Sequence, residues 1–237
     1  MKSHSNEITI KISGIGEQYV VSEIFYKNPD LIYLNGNTNP IEPNNRTINL
    51  PSNSEEINTL KLVWNDKLLS LHSMFENLTN ITEVDLSRLD SSSVTHMTQM
   101  FWNCSSLTSI NFANFDSSSV QDMHLTFAGC IDLKELDLST FDTSKVTTMY
   151  YMFTDCMNLT SLNLGHFDTS KVVTMEAMFC GLYSLKSLDI SNFDTTQVTN
   201  MNAMFFHCEK LDKLDVSHFK TSKVEKFLDK YLETAFY

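Results

Sequence analysis

The chain has 237 residues, 42% of them apolar and 11% aromatic, which is enough to bury a core and excludes a disordered chain. Its net charge of −12, from 29 acidic and 17 basic residues, excludes nucleic acid, which needs a basic face, and simple attraction to an anionic membrane. No run approaches the roughly 18 apolar residues of a membrane-spanning helix, so no direct membrane insertion is expected of this segment.

The start, "MKSHSNEITI", lacks the apolar core of a secretory signal. A cytosolic protein and a chain trimmed of its signal would both begin this way. "EITIKI", "QYVVSEIFY" and "LIYLNG" read as strands, and "NGNTNPIEPNN" as a turn-rich connection, so residues 1–56 are expected to form a β-rich N-terminal cap. "INTLKLVWNDKLLSLHSMF" then reads as a degraded first repeat, in which Trp64 takes the place of the usual Asp.

From there the sequence repeats. Phe75, Phe101, Phe127, Phe153, Phe179 and Phe205 are spaced by a constant 26 residues, as are Met97, Met123, Met149, Met175 and Met201. Six phenylalanines in register without an insertion point to stacked repeats, and the period lies in the leucine-rich-repeat range. Within one copy, Val146, Met149, Met152, Phe153 and Cys156 follow helical spacing, and Asp142, Thr143 and Ser144 before them are helix-capping types. Leu162 and Leu164 alternate as in a short strand. The expectation is an α/β solenoid over residues 57–226. It would be a right-handed leucine-rich-repeat array with a parallel concave β-sheet and convex short helices, closed by a C-terminal helical cap over residues 227–237.

Columns read through the repeat separate packing from chemistry. The cysteine slot reads Leu78, Cys104, Cys130, Cys156, Leu182, Cys208. Leucine offers no sulfur, so a metal ligand or an obligatory disulfide is excluded and buried packing is expected. Cys180 stands outside this slot. The acidic residues of the "FD" turns, Asp90, Asp116, Asp142, Asp168 and Asp194, are expected to cap helices.

The concave face is the expected partner-binding surface, with Asp85, Asn111, Asp137, Asn163, Asp189 and Asp215 as its central column and Glu83 and Glu135 beside it. A solvated face of small polar residues that suit tight stacking is the plainer reading of the same column. Trp102, Tyr150, Tyr151 and Phe206 form the alternative partner-binding set on the convex side. No metal-ligand spacing, nucleophile elbow, phosphate loop or Ser-His-Asp set occurs, so neither an enzyme nor a cofactor is expected.

The run "SxVTxMxxMFxxCxxLxxLDLSxFDTS", traced over roughly residues 71–226, resembles the BspA-like leucine-rich repeats of microbial surface proteins. The resemblance implies a secreted or cell-surface protein acting in adhesion or recognition; the expectation beside it is a monomer with a protein or glycan ligand. A cytosolic repeat scaffold or regulator, or a structural surface-coat component, would share the same pattern.

Overall fold

The computed structural model of the chain describes residues 6–41, 46–51 and 57–225. The strict alternation of "NEITIKI" sends Ile8, Ile10 and Ile12 to one side, where all three are fully buried, and makes strand β1, Asn6–Ile12. The same alternation buries Leu60, Leu62 and Trp64 in β5, Asn58–Trp64. Strand β1 pairs antiparallel with β5 along its whole length, and β5 pairs antiparallel with β3, Leu31–Leu34. The first half of the segment read as a degraded repeat is thus an interior strand of the N-terminal sheet, while Leu71–Phe75 at its end bonds to the next copy as the later copies do. The other edge of β1 takes β6, Ile81–Asp85, and β6 pairs in parallel with β7, Ser109–Asn111. The result is a five-stranded sheet of order β3-β5-β1-β6-β7. Strands β2, Gly16–Tyr19, and β4, Thr47–Leu50, form a separate antiparallel pair. Strands β8, Ser161–Asn163, and β9, Ser187–Asp189, form a parallel one.

The described residues contain no helix, and this overturns the expected α/β solenoid with convex helices. Where helices were expected the backbone makes a run of turns. In Met97–Cys104, for example, the N–H groups of Met100, Trp102 and Cys104 donate to the carbonyls of Met97, Gln99 and Phe101, three residues back. The intervening N–H groups, of Met97, Gln99, Phe101 and Asn103, donate instead to Asp122, His124, Thr126 and Ala128 of the next copy. Four such bonds cross each of the five junctions between copies, from Leu71→His96 through to Gly181→Phe206. Every fourth residue is left-handed: φ is 56° at Gln99 and 58° at Asn103, and the same two columns are positive in all six copies. A left-handed residue each turn is incompatible with an α-helix and suits consecutive β-turns.

The helical spacing of the apolar residues is nevertheless real. Turns closed by i→i+3 bonds also bring residues three and four apart to one side, so the hydrophobic pattern fits both geometries. The left-handed positions 77, 103, 129, 155, 181 and 207 are held by Asn, Asn, Gly, Asp, Gly and His, types that tolerate positive φ.

The expected continuous parallel sheet is also corrected. Among the described residues only β6–β7 and β8–β9 pair as parallel strands, and residues 135–137 and 213–215 are outside any strand. The gaps cost the stack little, because the turn runs already carry cross-copy bonding at every level.

Inside, the six column phenylalanines are buried and stacked at centroid spacings of 5.5–5.9 Å, with interplanar angles from 3° to 20°. Beside them each column cysteine donates its S–H to a carbonyl of the preceding copy: Cys104 to Phe75, Cys130 to Phe101, Cys156 to Phe127 and Cys208 to Phe179. Burial pushes the Cys156 thiol up to about 12 and drives Cys104 and Cys130 well above the ordinary thiol range. These sulfurs are packing and weak donors, with no thiolate to react.

A third buried ladder is polar. Thr169 donates to the Asp194 carbonyl at 3.0 Å and accepts from the Asp194 N–H at 2.8 Å. Ser117 with Asp142, and Thr195 with Lys220, repeat the same two-way bond. The "FD" aspartates, expected as helix caps, cap these turns instead. The side chains of Asp116, Asp142, Asp168 and Asp194 accept from the N–H two residues on. The expected C-terminal helical cap over residues 227–237 lies outside the described residues.

Candidate functional site

The alternation that buries the isoleucines of β1 turns its polar residues to the opposite face of the sheet. Strand register does the rest. Tyr33 lies opposite Lys61, Lys61 opposite Thr9, Thr9 opposite Asp85, and Asp85 opposite Asn111. One row of side chains therefore crosses all five strands. The next row runs Thr59, Lys11, Glu83, Ser109.

Two adjoining depressions lie over these rows. One, of about 450 Å³, is lined by Tyr33, Thr9, Thr59 and Lys61, with Asn37 and Thr38 from the loop after β3. The other, of about 310 Å³, is lined by Lys11, Glu83, Asp85, Ser109 and Asn111, and Thr9 belongs to both. In the first, the Lys61 ammonium sits 4.1 Å from the Tyr33 ring centroid, a cation–π contact. In the second, Lys11 and Glu83 form an ion pair at 2.8 Å, each side chain 42% exposed, and Asn111 Nδ2 donates to Asp85 Oδ1 at 3.1 Å. An aromatic face, two ammonium groups, two carboxylates and several hydroxyls are thereby displayed on rigid backbone. Such an arrangement binds by stacking, hydrogen bonds and ion pairs.

The sequence-derived central column is divided by the structure into separate groups. Glu83, Asp85 and Asn111 stand in the five-stranded sheet, and Asn163 faces Asp189 across β8–β9. Glu135, Asp137 and Asp215 lie on stretches outside strands. Every member of the column also holds its own turn: the Oδ1 atoms of Asp85, Asn111, Asp137, Asn163, Asp189 and Asp215 accept from the N–H two residues later. The Ser139 hydroxyl and N–H hold Asp137 below the usual carboxylate range, and Ser217 does the same for Asp215. At Asp189 the Ser191 N–H has the larger effect and its hydroxyl the smaller.

The aromatic set proposed for the other side does not form one patch. Tyr150 meets Tyr151 edge-on at 5.7 Å and stacks on His124 at 4.5 Å, while the Tyr151 hydroxyl donates to Glu176 at 3.3 Å. Desolvation, followed by nearby carboxylates, raises both tyrosine hydroxyls above their ordinary range. Phe206 packs on His207 at 4.0 Å, and His207 stacks on Tyr183. Trp102 occupies the Phe206 column four copies earlier, roughly 19 Å away by strand spacing.

Sequence reasoning missed Tyr33, Thr9 and Lys11 because they precede the expected solenoid, and Lys61 because it lies in the degraded first copy, outside the aligned columns. The available signal was the alternation of "NEITIKI" and "NTLKLVW", which puts the polar residues of both segments on one face. Among the described residues no group of three or more His, Cys, Asp or Glu side chains is placed to hold a metal ion, and no helix is long and apolar enough to cross a membrane.

Neither a curated protein nor a solved structure matches the chain. A family model does, twice in tandem, over residues 69–162 and 157–236, together well over half of the sequence. The two matches divide the repeated region between them, and on their extent the chain belongs to the family described as Mycoplasma protein of unknown function, DUF285.

Proposed function

We propose that the chain is a non-enzymatic binding module that takes a protein or glycan ligand across the polar face of its five-stranded sheet. One observation carries the reading: the unbroken row from Tyr33 through Lys61, Thr9 and Asp85 to Asn111, with depressions on it. Side chains on paired strands lose little freedom on binding, which favours affinity. The Tyr33 ring offers a flat surface for a sugar or a partner side chain, and the charges around it supply orientation. The surface or secreted setting, and a role in adhesion or recognition, follow from the resemblance of the repeated string to BspA-like repeats and are part of the proposal. The module acts as a monomer in this reading.

The test is a binding screen of the purified protein against matrix proteins and a glycan array, repeated with Tyr33→Ala and Lys61→Gln. A ligand whose affinity falls about tenfold or more in either variant supports the face. A ligand unaffected by both, yet lost on Tyr150→Ala with Tyr151→Ala, would transfer the function to the aromatic cluster.

A further inference from the structure

A smaller cavity, of about 220 Å³, lies where the N-terminal segment meets the first repeated copy, away from the sheet face. Tyr19, Ser22, Glu23, Ile24, Glu76 and Asn77 line it. Glu76 is 8% exposed. Its Oε1 accepts from Asn77 Nδ2 at 3.3 Å, while its Oε2 is buried with no hydrogen-bond partner. Glu23 shares the cavity, held by the Tyr19 hydroxyl, whose own ionisation that bond pushes up. Among the described residues neither carboxylate has a cation within ion-pair distance. The nearby cation, Arg46, is committed elsewhere: it donates to the Glu23 and Phe25 carbonyls and to Asn28 Oδ1.

The column that contains Glu76 continues as Trp102, Ala128, Thr154, Cys180 and Phe206, so the buried charge is peculiar to this end of the stack. The backbone adds to it. In every turn run four N–H groups point toward the following copy, so their carbonyls point back toward the N-terminal segment, where Ser22 N–H caps the Met74 carbonyl at 2.8 Å. Aligned peptide dipoles sum as they do in a helix, and their negative end falls at Glu76. An unpaired carboxylate oxygen out of water at a negative pole is costly unless a cation meets it.

We infer that this cavity is a receptor for a guanidinium group, the side chain of an arginine presented by a partner polypeptide. Two carboxylates on one cavity, the buried Glu76 and the exposed Glu23, suit a planar fork with several N–H donors better than a point charge. The rim is apolar and wet: Ile24 is 60% exposed and Tyr19 39%. Such a rim covers the methylene stem of an arginine, and a small free cation would leave it unused.

The experiment follows the backbone amide resonances of Ser22, Glu76 and Asn77 in the full chain during titration with N-acetylarginine methylamide. The neutral isostere N-acetylcitrulline methylamide and methylguanidinium, the head group without its stem, are run beside it. Saturable shifts with the arginine probe are expected, with no binding of the citrulline probe and about tenfold weaker binding of methylguanidinium. Glu76→Gln should weaken the arginine probe about tenfold or more, and Glu23→Gln provides the same reading if the first variant does not fold. Equal binding of arginine and citrulline probes, no saturable shift at all, or unchanged affinity in both variants would overturn the site. Methylguanidinium binding as tightly as the arginine probe would overturn the polypeptide as the source of the group.

Discussion

Replacing Thr169 by valine isolates what the buried hydroxyl ladder contributes. The side chain is 1% exposed, and its hydroxyl makes two bonds to one residue of the next copy, to the Asp194 carbonyl at 3.0 Å and from the Asp194 N–H at 2.8 Å. Valine has nearly the same shape, so the cavity term is small. It removes both bonds, leaves a partly buried N–H and carbonyl without their partner, and sets a methyl group where the 2.8 Å contact was. The cost should be about 2–4 kcal/mol, since each of the two stranded groups is only partly buried and falls in the lower part of the roughly 1–3 kcal/mol range for a buried one. For a chain of this size that lowers the melting temperature by roughly 4–16 °C. Thr169→Ser keeps the hydroxyl, loses only a methyl group, and matches what Ser91 and Ser117 already do in the same column. Its cost should be about 0.5–1.5 kcal/mol. Thermal unfolding followed by circular dichroism on the three proteins reads the order directly. If serine is as damaging as valine, or valine shifts the midpoint by less than about 1 °C, the hydroxyl is not holding the copies together.

Two further outcomes are expected. Chain unfolded without reductant should titrate as five thiols, and Cys130→Ala should cost about 1–2 kcal/mol in denaturant unfolding, as for a cavity left in a packed column; fewer thiols would mean that the column is bridged. Stability should fall as pH drops from about 4 toward 2. The Lys67 side chain and the bonds from Ser92 hold Asp90 at about 2, and hydrogen bonds hold Asp142, Asp168 and Asp194 below 3.8, so these groups bind fewer protons folded than unfolded in that window. Their contribution is complete above the unfolded value and lost below the folded one. Urea midpoints against pH check it, and Asp90→Asn should flatten the curve.

The period was plain in the sequence because each copy contributes the same side chains to the same columns, Phe to Phe and Met to Met. The local geometry was not, because Val146, Met149, Met152 and Phe153 satisfy a helix and a chain of turns equally. What distinguishes the two is the left-handed column, Asn77, Asn103, Gly129, Asp155, Gly181 and His207. Gly129 and Gly181 show how tight it is. A methyl group on Gly129 would come within 3.2 Å of the Asn103 backbone, and one on Gly181 would overlap the Asp155 carboxylate. Read as a column before choosing a helix, those six residues disfavour one. The site was half legible. Glu83, Asp85 and Asn111 follow from the repeat, whereas Tyr33 and Lys61 reach them only through the pairing of β1 between β5 and β6, which local pattern does not encode.

The sameness of the five junctions has a consequence for how such a chain can change. Because Leu71–Asn77 meets the second copy with the same four bonds that Met175–Gly181 uses on the sixth, excising any interior block of 26 residues brings together two surfaces that already fit. Each block is an interchangeable monomer of a linear polymer, and stability should scale with the number of blocks and their junctions. Reach can then lengthen or shorten by recombination between near-identical strings such as "FDTSKV", while both ends are kept. A feature confined to one block, such as the Tyr150–Tyr151 pair, is gained or lost whole, as a cassette. The sheet face and the acidic cavity at the N-terminal end are built partly from unrepeated residues and do not travel with the blocks.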